Sequence, residues 1–213
     1  MTRKKIRILL VDDHVIVRNG VQLILRRADD MEVMAEAGTA QEALRIVREQ
    51  DFDVALVDIA LPGKNGLDLL KLLKVEKPKM AVLFLSMYSE EVYALRAFKL
   101  GAAGYLTKNS PPQVMFSAIR KAASGGKHIS ADLAEKFATM FNDNVVAPHG
   151  ALTNRELEVL KLIASGTSLV RIAEILHVSP NTVTTYRARI LDKTGLSSNV
   201  ELARYALEAG VLI

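Results

Sequence analysis

Cysteine is absent from the 213 residues of this chain. Its absence excludes a disulfide-stabilised scaffold, a cysteine-ligated zinc or iron–sulfur site and a thiol nucleophile. Long apolar runs are also missing at the N-terminal end, where the first apolar segment extends from Ile6 only to Val11 before two aspartates follow. A segment of that length is too short for a signal-peptide core or a membrane span. We therefore expect a soluble, cytoplasmic protein that does not associate with membranes.

Charge of one sign does not dominate the sequence. From His149 onward the chain has 7 basic and 6 acidic residues, which leaves +3 of the net charge of +4 in the preceding part. Whole-chain charge therefore does not point to one nucleic-acid-binding segment, and any such claim needs a local motif. Half of the residues are hydrophobic and 24% are charged, which is typical of globular proteins and excludes general disorder.

The first 125 residues alternate short apolar segments with amphipathic ones. We expect strands at Ile6–Val11, 33–36, Val54–Val57, 81–85 and 104–106, and helices at 15–27, 41–49, 67–74, 91–99 and 113–123. Because near-continuous apolar strands alternate regularly with helices, the pattern predicts an α/β fold. The expected architecture of this first domain is a flavodoxin-like, doubly wound, five-stranded parallel sheet with helices on both faces.

The rest of the chain is predicted to contain a linker and a second domain. Residues 126–150 include glycine, asparagine and proline and are expected to form the linker, with a possible helix at 130–141. Residues 151–213 have only helical patterns, so we expect an all-α domain of four helices.

Capping motifs mark where these four helices begin. Thr153 and Glu156 form a capping-box pattern before the first helix, and Ser198 and Glu201 form one before the fourth. Pro180 stands at the first position of the third helix. Because the joint between the second and third helices is short, the pair is predicted to form a helix-turn-helix.

Polar residues stand at the carboxyl ends of the predicted strands of the first domain. Asp12 and Asp13 follow the first strand, Asp58 the third, Ser86 the fourth and Lys108 the fifth. Ligands of open parallel sheets bind at this edge. Each of these residues alone is typical of a helix cap or a solvated turn, but their combination in successive strands indicates a functional site.

Three neighbouring carboxylates repel one another unless a cation neutralises them. Mg²⁺ is suited to such a site because it binds one or two carboxylates and keeps several waters. Asp58 could then act as a nucleophile towards a phosphoryl group, with Lys108 and Ser86 contacting its oxygens.

Two other classes share parts of this pattern. A flavodoxin that binds flavin mononucleotide has the same fold, but Asp12 and Asp13 would repel the flavin phosphate. A phosphatase of the haloacid-dehalogenase type also uses an aspartate nucleophile, but it normally has a second acid two residues later, where this chain has Ala60. Both classes are disfavoured.

The segments ILLVDDH (8–14), VALVDIALPG (54–63), LFLS (83–86) and GAAGYLTK (101–108), together with Gly66, resemble the receiver domain of two-component response regulators. The resemblance covers about 120 residues. It implies phosphorylation by a cognate histidine kinase. A receiver that works without phosphate, by sensing a ligand or its own oligomerisation, is an alternative that the intact set of site residues disfavours.

The resemblance also assigns roles to individual residues. Asp58 is the expected phosphoacceptor, and Mg²⁺ is expected on Asp12, Asp13, Asp58 and the backbone carbonyl of Ala60. Ser86 is expected to move and hydrogen-bond the phosphoryl group, so that the Tyr105 ring turns into the space that Ser86 leaves. The protein is not expected to be an enzyme, beyond accepting the phosphoryl group and losing it slowly.

The third helix of the second domain is the predicted recognition helix for DNA. Val183 and Ile190 are seven residues apart and should face the core. Amide, hydroxyl and guanidinium groups on the remaining surface suit base edges and phosphates. The candidate DNA-binding residues are Asn181, Thr182, Thr184, Thr185, Arg187, Arg189 and Lys193.

The segments LTNRELEVL (152–160), IASG (163–166), VSPNTV (178–183) and KTGL (193–196) resemble the LuxR-type DNA-binding domain. With the receiver, the whole chain is similar to a response regulator of the NarL/FixJ type. This implies a transcription regulator that binds DNA as a homodimer when it is phosphorylated.

Several positions depart from that family pattern. Leu169, Val170 and Arg171 stand where the family commonly has Asn, Lys and Glu, Thr184 replaces a usual lysine, and Tyr186 replaces a usual histidine. Fewer lysines weaken binding to phosphates. The alternative hypothesis is that the helical domain binds a protein partner through its apolar residues rather than DNA.

Overall fold

The computed structural model describes residues 5–62, 65–87, 90–131, 133–135, 152–208 and 211. The chain divides into two compact units, Met1–Ala134 and Glu135–Ile213. The predicted domain limits at 125 and 150 remain predictions. The possible helix at 130–141 lies largely outside the described residues. None of the helices in the described parts is long and apolar enough to span a bilayer.

The first unit is the predicted parallel α/β sheet. Its strands have the order β2-β1-β3-β4-β5, and every neighbouring pair is parallel. The strands are β1 Ile6–Val11, β2 Met31–Ala37, β3 Val54–Val57, β4 Ala81–Ser86 and β5 Gly104–Thr107. The helices are α1 Val15–Leu25, α2 Ala40–Glu49, α3 Gly66–Glu76, α4 Glu90–Lys99 and α5 Pro112–Ala123. The predicted fold class is confirmed.

Both faces of the sheet are buried. Ile8, Leu56 and Leu83 belong to one hydrophobic core with Leu25 of α1 and Ile119 of α5. The residues that alternate with them along the strands point to the opposite face. These residues, which include Leu9, Val11, Ala55, Val57, Val82 and Phe84, have no solvent exposure. Helices therefore cover both faces, as near-continuous apolar strands require.

Several boundaries of the first unit differ from the prediction by one or two residues, and the differences in β2 and α1 have local reasons. β2 is longer than the predicted 33–36. Because it is an edge strand, positions such as Glu32 are exposed and polar, and they interrupt the apolar pattern on which the prediction was based. α1 ends at Leu25 rather than at residue 27, because the chain turns there and the Ala28 N–H donates to the Leu25 carbonyl at 3.0 Å.

The described part of the second unit, residues 152–208, contains four helices, as predicted. They are α6 Asn154–Ala164, α7 Leu169–Ile175, α8 Pro180–Thr194 and α9 Asn199–Glu208. The capping box of α6 is present: the Glu156 N–H donates to the Thr153 hydroxyl at 3.3 Å, and the Thr153 N–H donates to the Glu156 carboxylate at 2.7 Å.

The capping box predicted for α9 is only half correct. The Glu201 N–H donates to the Ser198 hydroxyl at 3.2 Å, as expected. The Glu201 carboxylate instead accepts from the N–H of Ser197 at 2.7 Å. It reaches one residue further than the motif requires and still satisfies a free N–H group near the helix start.

A buried ion pair joins α6 to α8. The Lys193 ammonium lies 2.7 Å from the carboxylate of Glu156, which is 1% exposed. Burial alone would raise the pKa of Glu156, but hydrogen bonds from Lys193 and Thr153 outweigh that effect and lower it. The carboxylate is therefore held ionised by groups from two helices.

We predict that Gly66→Ala destabilises the first unit. A Cβ at this position would lie 2.2 Å from the Asp58 carbonyl oxygen and 3.0 Å from the Ile59 Cα. Because both are backbone atoms, the β3–α3 connection has to shift, and we expect the free energy of unfolding to fall by about 2–4 kcal/mol. Urea denaturation followed by circular dichroism measures this change.

The matched control is Gly20→Ala. Gly20 lies in α1, and a Cβ there meets no atom within 4 Å. Alanine is the better helix former, so the free energy of unfolding should rise by about 0.5–1 kcal/mol. Equal effects of the two substitutions would contradict the packing argument.

We predict that Lys193→Met destabilises the second unit in a pH-dependent way. At neutral pH the substitution leaves the Glu156 carboxylate buried without its cation, so the free energy of unfolding should fall by about 1–3 kcal/mol. The lowered pKa of Glu156 means that its contribution is complete above about pH 4.3, the pKa of an unfolded glutamate, and is lost as the pH falls through the folded-state pKa. The difference between wild type and variant should therefore shrink in acid.

Hydrogen exchange of the α6 and α8 amides measures this effect in the second unit alone. Arg171→Met is the control, because the Arg171–Glu174 pair is largely exposed and its loss should cost less than about 0.5 kcal/mol. A destabilisation by Lys193→Met that is the same at neutral and acid pH would argue against the ion pair.

Candidate functional site

Backbone hydrogen bonds beyond the strand ends fix the predicted acidic site. The N–H of Asp58 donates to the Val11 carbonyl at 2.8 Å, and the N–H of Lys108 donates to the Ser86 carbonyl at 2.8 Å. The N–H of Asp12 continues the pairing of β1 with β2. The residues that follow separate strands are thus held side by side at one edge of the sheet.

Lys108 bridges two buried carboxylates in this pocket. Its ammonium nitrogen lies 2.6 Å from Asp12 Oδ2 and 2.8 Å from Asp58 Oδ2. The side chains are 9%, 2% and 4% exposed, respectively. Burial raises the pKa of Asp58, and the Asp12 charge adds to the effect, while Lys108 only partly opposes it. Burial alone would lower the pKa of Lys108, but the hydrogen bonds to the two carboxylates raise it.

The donor set of the pocket fits a hard divalent cation. Ligand atoms of Asp12, Asp13, His14 and Asp58 lie within 4.8 Å of one another. Three carboxylates face one ammonium, so the pocket has an excess of negative charge that a divalent ion would neutralise. Carboxylate oxygens are the ligands that Mg²⁺ prefers. The Ala60 N–H approaches Asp58 Oδ1 at 3.4 Å, and the role of its carbonyl stays a prediction.

Two residues near the pocket were not predicted to belong to it. The His14 Nδ1 lies 2.8 Å from Asp13 Oδ1, and only its position next to two aspartates could have indicated this. Arg18 of α1 donates to the Asp12 carbonyl at 2.6 Å and to Glu36 at 2.9 Å. Arg18 thereby holds the turn that carries Asp12, and no sequence signal links it to Glu36.

Ser86 and Tyr105 lie on the neighbouring strands β4 and β5, and the switch between them remains a prediction. Ser86 is the last residue of β4 and is fully buried. Tyr105 of β5 is also fully buried, and its ring centroid lies 6.2 Å from that of Phe84, its partner in the sheet register. The resemblance led us to expect that the ring turns inward on phosphorylation, whereas this structure already has it inside.

The recognition helix α8 has the predicted orientation towards its own core. Val183 and Ile190 are fully buried, so the predicted inner face is confirmed. The Ser179 hydroxyl caps the helix by accepting the Thr182 N–H at 3.1 Å. One shallow surface groove brings together five side chains, of which only Tyr186 was not predicted as a DNA contact. They are Asn181, Thr182, Thr185, Tyr186 and Arg189.

Two of the predicted DNA-binding cations have partners within the helical unit. Lys193 is bound to Glu156, so its ammonium group joins helices rather than projecting freely. The Arg187 Nε donates to Asn199 Oδ1 at 2.6 Å. Sequence reasoning could not detect either contact, because both partners belong to other helices.

The hydroxyls of two exposed threonines of α8 bond to the backbone of the preceding turn. The Thr184 hydroxyl donates to the Pro180 carbonyl at 3.1 Å, and the Thr185 hydroxyl donates to the Asn181 carbonyl at 3.0 Å. Each hydroxyl can still accept a hydrogen bond from a base. Of the apolar residues that depart from the family pattern, Val170 is 60% exposed.

Comparisons with known proteins match both parts of the chain to known families. Residues 8–120 match the family model described as the response regulator receiver domain, and residues 150–206 match that of the bacterial regulatory proteins of the luxR family. The chain is 33% identical over 208 residues to the response regulator UvrY of Escherichia coli K12, covering 97% of this chain and 95% of UvrY. It is 36% identical over 214 residues to the oxygen regulatory protein NreC of Staphylococcus aureus, covering 97% and 99%.

A solved structure supports the fold of both parts. The structure of RcsB from Salmonella enterica serovar Typhimurium, bound to promoter rprA in the presence of the phosphomimetic BeF3−, has a TM-score of 0.67. The match covers 95% of this chain and 98% of that chain at 21% sequence identity. The match of residues 150–206 to the luxR family favours a DNA-binding helical domain over one that binds only a protein partner. The chain therefore belongs to the two-component response regulators of the NarL/FixJ type, in which a receiver domain is joined to a LuxR-type DNA-binding domain.

Proposed function

We propose that phosphorylation of Asp58 by a cognate histidine kinase controls dimerisation and sequence-specific DNA binding by this protein. One observation carries the proposal: a buried aspartate lies at the sheet edge, 2.8 Å from a lysine ammonium and next to two further carboxylates. This combination of nucleophile, cation and acidic metal ligands suits phosphoryl transfer, which depends on positioning and charge neutralisation.

In the proposed reaction, a carboxylate oxygen of Asp58 attacks the phosphorus of a phosphohistidine. The O–P bond forms as the N–P bond breaks, and the released imidazole takes up a proton. The Lys108 ammonium, already 2.8 Å from Asp58, can contact the new phosphoryl oxygens. Mg²⁺ held by Asp12, Asp13, Asp58 and the Ala60 carbonyl supplies positive charge to those oxygens when it is bound.

Ser86 and Tyr105 are proposed to report the phosphorylation. Ser86 ends β4, which pairs with the strand that precedes Asp58, and its hydroxyl is proposed to bond a phosphoryl oxygen on Asp58. Because the Tyr105 ring is already buried here, we propose that this bond stabilises the inward ring rather than creating it. Phosphorylation would then shift a population between two receiver states.

DNA is proposed to bind the outer surface of α8. The groove formed by Asn181, Thr185 and Arg189 presents an amide, a methyl group and a guanidinium, which suit adenine, thymine and guanine or phosphate respectively. The remaining proposed contacts are Thr182, Thr184 and the outer nitrogens of Arg187. A homodimer would place two such helices on two half-sites.

We predict that a small phosphodonor and Mg²⁺ shift the full chain on a Phos-tag gel, and that Asp58→Asn abolishes the shift. The shift should also disappear when the metal is chelated, because the acidic pocket then lacks its neutralising ion. Asp51→Asn is the control, since Asp51 pairs with Lys77 on the surface outside the pocket. An unshifted wild type, or a shifted Asp58→Asn, would refute the proposed phosphoacceptor.

We predict that Arg189→Gln and Asn181→Ala each weaken binding to duplexes selected from genomic DNA by about tenfold, because each removes one specific contact. Fluorescence anisotropy with the phosphorylated full chain measures the affinity. Arg204→Gln in α9 removes the same charge outside α8 and should change the affinity less than about twofold. Equal losses for Arg189→Gln and Arg204→Gln, with no loss for Asn181→Ala, would indicate general electrostatic binding only.

A further inference from the structure

Asp192 lies on the side of α8 that faces away from the domain core. It follows the buried residues Val183 and Ile190 by nine and two positions, and at about 100° per residue both intervals place it on the opposite side of the helix. It follows Asn181 by eleven residues, which places the two side chains within about 20° of each other around the axis. Asp192 is exposed and shares the outward surface with the proposed DNA contacts.

The outward surface of α8 has only a small excess of positive charge. The charge of Lys193 is paired with Glu156, and Asp192 opposes Arg189, which it follows by three residues. Arg187 keeps its charge, because Asn199, the acceptor of its Nε, is neutral. A helix that binds phosphates through charge alone would be expected to have a larger excess of lysine and arginine on this side.

Local structure does not account for Asp192. It stands two residues before the end of α8 at Thr194, where a negative charge interacts unfavourably with the helix dipole. Within the described parts of the chain, no hydrogen bond or ion pair compensates this charge. Asparagine or lysine at this position would therefore make the helix more stable than Asp192 does.

The helix is longer than the groove that it is proposed to enter. Its 15 residues extend over about 22 Å, whereas the major groove is about 12 Å wide. The last turn therefore lies beside the phosphate backbone when the first turns contact bases. Asp192 is in that last turn, and its carboxylate faces the same way as Asn181.

We propose that Asp192 limits sequence-independent DNA binding, because its carboxylate repels the phosphates of every duplex and stable binding then requires contacts with the correct bases. The inference rests on the proposed DNA-binding function. Bases read by Asn181, Thr185 and Arg189 compensate the repulsion on a correct half-site. On any other sequence the repulsion remains uncompensated, so free protein does not accumulate on unrelated DNA.

The test measures binding of the unphosphorylated full chain to a labelled duplex of scrambled sequence by fluorescence anisotropy over a salt series. At about 50 mM salt we expect Asp192→Asn to bind at least about threefold more tightly than wild type. Asp192→Lys should bind about tenfold more tightly, and its plot of log affinity against log salt should be steeper by about 0.9. Asp192→Glu retains the charge and should match wild type.

Each outcome distinguishes this inference from the proposed function. Equal affinities of all four proteins, with measurable binding, would overturn the role of Asp192 and leave DNA binding intact. No binding by any of them at about 20 mM salt, while the phosphorylated chain binds its selected duplexes, would overturn the role of Asp192 alone. If the phosphorylated chain also binds no duplex, both proposals are overturned. Circular dichroism checks that the variants fold, and thermal unfolding should show Asp192→Asn to be at least as stable as wild type.

Discussion

The contact of the Lys108 ammonium with the buried carboxylates of Asp12 and Asp58 is the interaction on which the receiver pocket depends. Ammonium and carboxylates come from the ends of three different strands, so the pocket exists only when the parallel sheet is assembled. One cation does not balance the carboxylates present. Burial is the main cause of the raised pKa of Asp58, and the charge of Asp12 adds to it. The unneutralised charge is what makes the pocket suitable for a divalent ion and, in turn, for a phosphoryl group.

In the helical unit, by contrast, the buried negative charge is balanced by neighbouring groups. Its buried carboxylate, Glu156, is neutralised within the unit by Lys193 and by the capping box of α6, so no functional site arises there. The same ion pair removes a cation from the surface of the recognition helix. Together with Asp192, this leaves α8 a surface on which hydrogen-bonding groups outnumber available charges. DNA recognition by this surface would depend on base contacts and on pairing of two copies more than on counterion release.

Sequence patterns predicted the fold well wherever burial was complete. β3 has a strand on each side, and its bounds agree with the prediction because every residue is apolar and buried. The bounds of β1 also agree, although Arg7 interrupts its apolar run. The start of the edge strand β2 was predicted two residues too late because Glu32 interrupts its apolar pattern. At the start of α9, the pattern of Ser198 and Glu201 could not reveal that the carboxylate would bond the N–H one residue earlier.

The sequence by itself determined the fold class, the order of the acidic and basic residues at the strand ends and the inner face of α8, because these depend on local periodicity and on the common direction of parallel strands. Only the tertiary structure decided which charges meet: Lys108 with Asp12 and Asp58, and Lys193 with Glu156. The physical reason is that an ion pair depends on a distance of about 3 Å between atoms far apart in the chain. Hydrophobic periodicity specifies which side of an element is buried, but not which side chain lies opposite it.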